Sequence, residues 1–117
     1  MKRKACIVLP TYNEAENIEI VVRRIFEQQK KIPTHDLCIL VVDDNSPDGT
    51  QSIVGILMKQ YRALFLLTGQ KKGLGDAYKR GMKYAIAKLS PNLIFEMDAD
   101  GQHDVKLILD DQVFSQT

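Results

Sequence analysis

The 117-residue sequence contains no apolar stretch approaching the roughly 20 residues that a helix needs to cross a bilayer. It carries no excess of either charge: 16 Lys and Arg stand against 15 Asp and Glu, for a formal net charge of +1. No bulk field draws it to nucleic acid, and no nucleic-acid partner is expected. Cysteine is scarce. Cys6 and Cys38 give neither a disulfide framework nor a Cys-x-x-Cys metal spacing. Both sit in apolar runs and read as buried thiols, which fits a reducing, cytoplasmic setting. Internal repeats, low-complexity tracts and linkers are lacking. The basic start, Met1-Lys2-Arg3-Lys4, leads into an apolar run (Ala5 to Leu9) too short for a signal peptide. What is present is ordinary for one globular domain: 44% hydrophobic and 26% charged residues.

Short apolar runs alternate with helical periodicities. Ala5–Leu9, Leu37–Val42, Ala63–Leu67 and Leu93–Met97 read as strands. The second is continuous and rich in β-branched residues, as expected of a strand covered on both faces. Ile18, Val21, Val22, Ile25 and Phe26 recur at helical spacing, with Asn13 and Glu16 placed as a capping box. Ile53, Leu57 and Tyr61 mark a second helix, flanked by Val54 and Met58. Leu74, Tyr78, Met82, Ala85, Ile86 and Leu89 mark a third, in which Gly81 is expected to allow close packing on the sheet. A last helix is predicted from about Val105 to Val113, with Asp104 as its N-cap. This βαβαβαβα order predicts an α/β fold: a Rossmann-like, mostly parallel four-stranded sheet with helices on both faces.

In such sheets ligands bind beyond the carboxyl ends of the strands, and the polar clusters fall there. Glu14 follows the first strand, Asp43 and Asp44 the second, Asp98 and Asp100 the fourth. Carboxylates gathered on one edge repel one another unless a cation or hydrogen-bond donors compensate. A hard divalent ion, Mg2+ or Mn2+, answers that need with oxygen ligands and substrate phosphates. Asp98 and Asp100 form an Asp-x-Asp pair whose side chains share a side if the segment is extended, and Gln102 adds a neutral carbonyl. Asp43 and Asp44 also suit a turn and helix cap. Tyr12 equally suits a packing aromatic, and His103 reads as an exposed loop residue.

Lys71-Lys72-Gly73-Leu74-Gly75 is not a P-loop, since no Gly-Lys-Ser/Thr occurs in it. Nor does Gly-x-Gly-x-x-Gly follow the first strand, which disfavours a dinucleotide-dependent oxidoreductase. The loop is either solvated and flexible or a backbone cradle that approaches a phosphate at a helix start.

Four segments together carry a resemblance. They are Leu9-Pro10-Thr11-Tyr12-Asn13-Glu14, Val42 to Thr50, Gly73-Leu74-Gly75-Asp76-Ala77-Tyr78 with Gly81, and Met97-Asp98-Ala99-Asp100 with His103. In this order they resemble the N-terminal half of the polyprenol-phosphate (dolichol-phosphate) mannose synthases, inverting family-2 glycosyltransferases of GT-A fold. The resemblance implies a nucleotide-sugar site formed by Pro10, Tyr12, Glu14, Val42, Asp44, Asp98, Ala99 and Asp100, with Tyr12 against the base. It implies catalytic roles for Asp98 and Asp100, and a metal held by Asp98, Asp100 and Gln102. The donor it implies is a nucleoside-diphosphate sugar, foremost GDP-mannose, and the acceptor a polyprenyl phosphate at the cytosolic face of a membrane, with peripheral association. Val105 departs from the family, which often has proline there. Family members also continue with further strands, a basic acceptor-phosphate site and a membrane anchor. Residues 1–117 are therefore expected to be one nucleotide-sugar-binding domain, an incomplete catalytic domain that binds donor without transferring or depends on a partner chain. Two other readings remain at this point: a truncated non-catalytic module that binds a nucleotide or a protein, and a receiver-like phosphoacceptor domain. The latter has similar length and βα alternation but carries its acidic pair after the first strand.

Overall fold

The structure, a computed structural model, describes residues 3–99. The expected helix at 105–113, and with it Asp100, Gln102 and His103, lies outside the described residues. Four strands form one sheet in the order β3-β2-β1-β4: β1 (Arg3–Thr11), β2 (His35–Asp43), β3 (Leu64–Thr68) and β4 (Leu93–Glu96). Every pairing is parallel, with Cys6 opposite Cys38 and Ile94. Three helices make the crossovers: α1 (Ile18–Glu27), α2 (Thr50–Met58) and α3 (Leu74–Tyr84), the last prolonged by a π turn over Ala85–Leu89.

The two-residue period of the strands divides the core in two. Ala5, Ile7, Leu9, Leu37, Ile39 and Val41 face a cluster with Ile18, Val21, Val22 and Ile25 of α1 and Val54 and Leu57 of α2. Cys6, Val8, Cys38, Leu40 and Val42 face the other way, onto Ala77 of α3 and Ala85 and Leu89 of the π turn. The helices therefore lie on both sides, and both faces of β1 and β2 are covered, which accounts for their unbroken apolar sequences. Each such buried aliphatic side chain stabilises the fold by about 1.5–3 kcal/mol. Cys6 and Cys38 are free thiols buried side by side, and the hydrogen bond between them, together with burial, pushes the Cys6 thiol up.

The order in which strands are added reverses after β3. β1, β2 and β3 run outward in sequence on α1 and α2, and α3 then returns across the opposite face to set β4 beside β1. Right-handed crossovers require that change of face. The order differs from the receiver-like arrangement, in which β1 lies between β2 and β3.

Two expectations are corrected. Asn13 does not cap α1: it adopts φ 57°, and the helix begins at Ile18 after a turn in which the Glu14 carbonyl accepts from the N–H groups of Asn17 and Ile18. The apolar stripe assigned to α3 holds only in part. Tyr78, Ala85 and Leu89 pack on the core as expected, but Leu74, Met82 and Ile86 are exposed, and Ala77 and Gly81 are buried in their stead. Small residues win the inner face because the helix sits almost against the valines of the sheet. A Cβ on Gly81 would stand 2.5 Å from Val8 Cγ1 and 2.9 Å from Val42 Cγ2.

Gly81→Ala should therefore destabilise the protein by about 1–3 kcal/mol through overpacking. Val8→Ala in the same chain should recover part of that loss, as measured by urea unfolding. A second expectation concerns His35, which is buried and lies 2.8 Å (Nδ1) from Thr34 Oγ1. Burial, together with the Arg3 charge, holds its pKa below 6.5. The unfolded chain then binds more protons than the folded one as pH falls through 6.5, so stability declines in that direction. His35→Gln should flatten the fall of the urea midpoint between about pH 7.5 and 5.5, the window around an ordinary histidine pKa.

Candidate functional site

Two polar loops meet at the carboxyl edge of the sheet, and the second serves as a template for the first. Three successive backbone N–H groups after β1 donate to side chains after β2: Asn13 to Ser46 Oγ at 2.9 Å, Glu14 to Thr50 Oγ1 at 3.2 Å and Ala15 to Asp48 Oδ2 at 3.0 Å. The Asp44 N–H returns a bond to the Thr11 carbonyl at 3.1 Å. Asn13, Asn45 and Gly49 take positive φ, the conformation that Asn and Gly adopt most readily. Asp48 also accepts from the Thr50 backbone N–H at 3.1 Å, at the start of α2. Its carboxyl is held below the usual range, first by the Thr50 hydroxyl and then by backbone donors from Ala15 and Thr50.

The adjacent acids Asp43 and Asp44 part company. Asp43 is fully buried and turned into the fold. Its oxygens accept from Thr11 Oγ1 (2.6 Å), Ser46 N (2.9 Å), Ser46 Oγ (2.6 Å) and Gln51 Nε2 (2.8 Å). The turn reading holds for it. Asp44 instead reaches a cleft and is bound on Oδ1 by Arg80 Nη2 of α3.

That cleft, about 290 Å³, is lined by Pro10, Thr11, Tyr12 and Glu14 after β1, Asp44 after β2, Lys71, Gly73, Leu74 and Ala77 at the start of α3, and Asp98 and Ala99 after β4. It opens between β1 and β4, where the strand order reverses, the position at which open α/β sheets bind ligands. Carboxylates of Glu14, Asp44 and Asp98 thus share one cavity. Glu14 Oε2 accepts from Asn17 Nδ2 at 3.2 Å, and Asp98 Oδ1 from the Tyr78 hydroxyl at 2.9 Å. Tyr12 is 38% exposed, and the Lys71 ammonium stands 3.8 Å from its ring centroid. The ammonium thus lies over one face of the ring, a cation–π contact that brings the Lys71 charge into the cleft.

Of the residues proposed from sequence, the structure brings Pro10, Tyr12, Glu14, Asp44, Asp98 and Ala99 together. Val42 is placed otherwise: its side chain is buried beneath α3, and the cleft lining does not include it. Asp100 and Gln102 lie outside the described residues. Among the described residues no three His, Cys, Asp or Glu side chains are grouped to hold a metal ion by themselves. Sequence reasoning missed Thr11, Leu74 and Ala77 as lining residues, left the Lys71 loop open between a solvated loop and a phosphate cradle, and overlooked Arg80. The four-residue spacing of Asp76 and Arg80, ion-paired at 2.8 Å, was the available signal.

The parallel four-stranded sheet with helices on both faces is the architecture this chain shares with GT-A glycosyltransferases. The sequence model of glycosyl transferase family 2 matches residues 6–110, and the chain belongs to that family. It is 35% identical over 103 residues to the polyprenol monophosphomannose synthase of Mycolicibacterium smegmatis, covering 86% of this chain and 37% of that one. It is 36% identical over 105 residues to the dolichol-phosphate mannosyltransferase of Pyrococcus furiosus, covering 90% and 28%. The chain thus spans about a third of the length of these curated relatives. The mannosyltransferase PcManGT from Pyrobaculum calidifontis, solved in complex with GDP-Man and Mn2+, superposes with a TM-score of 0.75 at 26% identity, over 93% of this chain and 31% of that one.

Because Asp43 serves four donors, Asp43→Ala should leave buried donors unsatisfied and destabilise the protein by about 1–3 kcal/mol or more. Loss of the template should also raise amide exchange at Asn13–Ala15, measured by hydrogen–deuterium exchange.

Proposed function

We propose that this chain is the donor-binding half of a glycosyltransferase of the polyprenol-phosphate mannose synthase type. It takes GDP-mannose with a divalent metal, and the hexose is destined for a polyprenyl phosphate at the cytosolic face of a membrane. The observation that carries this reading is the convergence of Tyr12, Glu14, Asp44, Lys71 and Asp98 on one cleft at the sheet's reversal point. Relatives named for the same chemistry, and a neighbour holding GDP-Man and Mn2+, support it.

In this reading Tyr12 stacks on the base while Pro10 and Glu14 complete that wall. Asp44 accepts a hydrogen bond from the base or ribose. Asp98 and Ala99 lie against ribose and diphosphate. Lys71 and the Gly73 backbone stand at the phosphate end, the lysine as a point charge.

The fit of a metal follows from the donor set. Three carboxylates on one cleft would repel a diphosphate unless a cation lay between them. In this reading Asp98 of the cleft, together with Asp100 and Gln102, would supply oxygen ligands of the kind that suit Mg2+ or Mn2+. Such an ion, when bound, supplies Lewis-acid stabilisation of charge on the departing diphosphate. The acceptor phosphate is ionised near neutral pH, so attack on the anomeric carbon needs no strong general base. The work left to the protein is positioning and electrostatics. Asp98 and Asp100 are accordingly the catalytic pair. No described helix is long and apolar enough to cross a membrane, and contact with the lipid acceptor is assigned to peripheral association.

Titration with GDP, UDP and GDP-mannose in the presence of Mn2+ tests the reading. Asp98→Asn, Asp100→Ala and Tyr12→Ala should each weaken GDP binding about tenfold or more, equivalent to at least 1.4 kcal/mol. The acidic substitutions should also remove the dependence on Mn2+. Equal affinity in wild type and Asp100→Ala rejects the metal assignment, and indifference of the wild type to every nucleotide rejects the function.

A further inference from the structure

We infer that Arg80 is a positioning residue for nucleoside recognition: from behind the cleft it fixes the Asp44 carboxylate so that its second oxygen faces the base or ribose. The inference deepens the donor-site reading and rests on it.

Arg80 does not line the cleft, whereas Asp44 does. The guanidinium spans two acids, donating from Nη2 to Asp44 Oδ1 and from Nε to Asp76 Oδ2 at 2.8 Å. Asp44 is nearly buried, with 7% side-chain exposure, and Arg80 is largely so, with 27%. A carboxylate so enclosed keeps one rotamer only if something holds it. Its backbone N–H is already committed to the Thr11 carbonyl. Arg80 holds Oδ1, and among the described residues no donor occupies Oδ2.

Asp76 and Gly69 in turn fix Arg80. Asp76 lies one turn earlier on α3 and orients the plane of the fork. Gly69 supplies room: a Cβ there would fall 2.2 Å from Arg80 Nη1 and 3.0 Å from its Cζ. The glycine N–H is bound to the Asp43 carbonyl at 3.1 Å, so this backbone does not retreat readily. Nη1, pressed against it, is buried and has no hydrogen-bond partner among the described residues. A purely structural ion pair gains nothing by stranding a donor in this way. The arrangement makes sense where the orientation of Nη2 toward Asp44 is what matters.

Two independent changes disturb this arrangement without touching Asp44. Arg80→Met removes the fork while keeping an apolar stem. Gly69→Ala puts a methyl group where Nη1 lies and displaces the guanidinium, a shift that a flexible side-chain end accommodates with the fold intact. Binding of GDP and of inorganic pyrophosphate, each with Mn2+, is measured by calorimetry alongside melting temperature. Both variants should weaken GDP about tenfold, the scale of one hydrogen bond to a charged group, and leave pyrophosphate affinity within about twofold. Arg80→Lys should restore GDP binding only in part, since an ammonium cannot reproduce the fork. In the double variant with Asp44→Asn the losses should not add.

A merely structural pair predicts a lower melting temperature with GDP and pyrophosphate either both unchanged or both weakened, and any of those results overturns the inference. If Arg80→Met does not fold, Gly69→Ala and Arg80→Lys carry the same comparison. Wild-type protein that binds pyrophosphate but neither GDP nor UDP refutes the donor-site reading itself. Wild-type GDP binding that both variants retain refutes only the role of Arg80.

Discussion

The hydrogen-bond template between the loops after β1 and β2 is the constraint on which the rest of the site depends. A loop of four consecutive polar positions has no shape of its own. Here its amides are claimed one after another by Ser46, Thr50 and Asp48, and Asp43 locks the far side of the template through Thr11, Ser46 and Gln51. These are short side chains from a turn that also starts α2, so the helix and the template are specified by the same few residues. Tyr12 and Glu14 reach the cleft because the amides of this loop are held, which leaves their side chains to line it.

This division of labour explains why the acidic residues cannot be judged one by one. Asp43 and Asp48 organise backbone, with every nearby donor spoken for. Asp44, Glu14 and Asp98 line the cavity. Sequence spacing does not separate the two groups, because all five follow strands or open helices. For Asp43 and Asp44 the alternation of an extended chain separates them: successive side chains at the end of β2 point to opposite sides, so one of the two neighbours turns inward and the other outward. Cooperation between β2 and α3 then becomes visible only in three dimensions, in the reach of Arg80 to Asp44 across 36 residues of chain.

The parts legible from sequence were those written in a two-residue or helical period. All four strands, the face of α1 and the parallel topology were readable because short continuous apolar runs, alternating with helical periods, leave few alternatives. The place of the site followed from the rule for open sheets. The outward stripe of α3 misled, since a large apolar residue on a helix is ordinarily assigned to the core. Its inner face keeps Ala85 and Leu89 of the expected stripe but is completed by Ala77 and Gly81, whose contribution is proximity rather than buried area. The start of α1 was misjudged for a related reason: Asn13 has the chemistry of a cap, but its conformation is dictated by the partner loop. Val42 shows the reverse case, a residue named for a ligand whose side chain belongs to packing.

The close seat of α3 has a mechanical consequence. With Gly81 resting on Val8 and Val42, the helix has no compressible layer of side chains beneath it. It behaves as a rail bolted to the sheet rather than a cushion on it. Any give on this side of the cleft must then come from the short stretch ahead of the helix, residues 70–73, since the Gly69 amide is tied to the Asp43 carbonyl. Substrate range in proteins built on this plan would be tuned by rewriting that stretch, with the helix and sheet left alone.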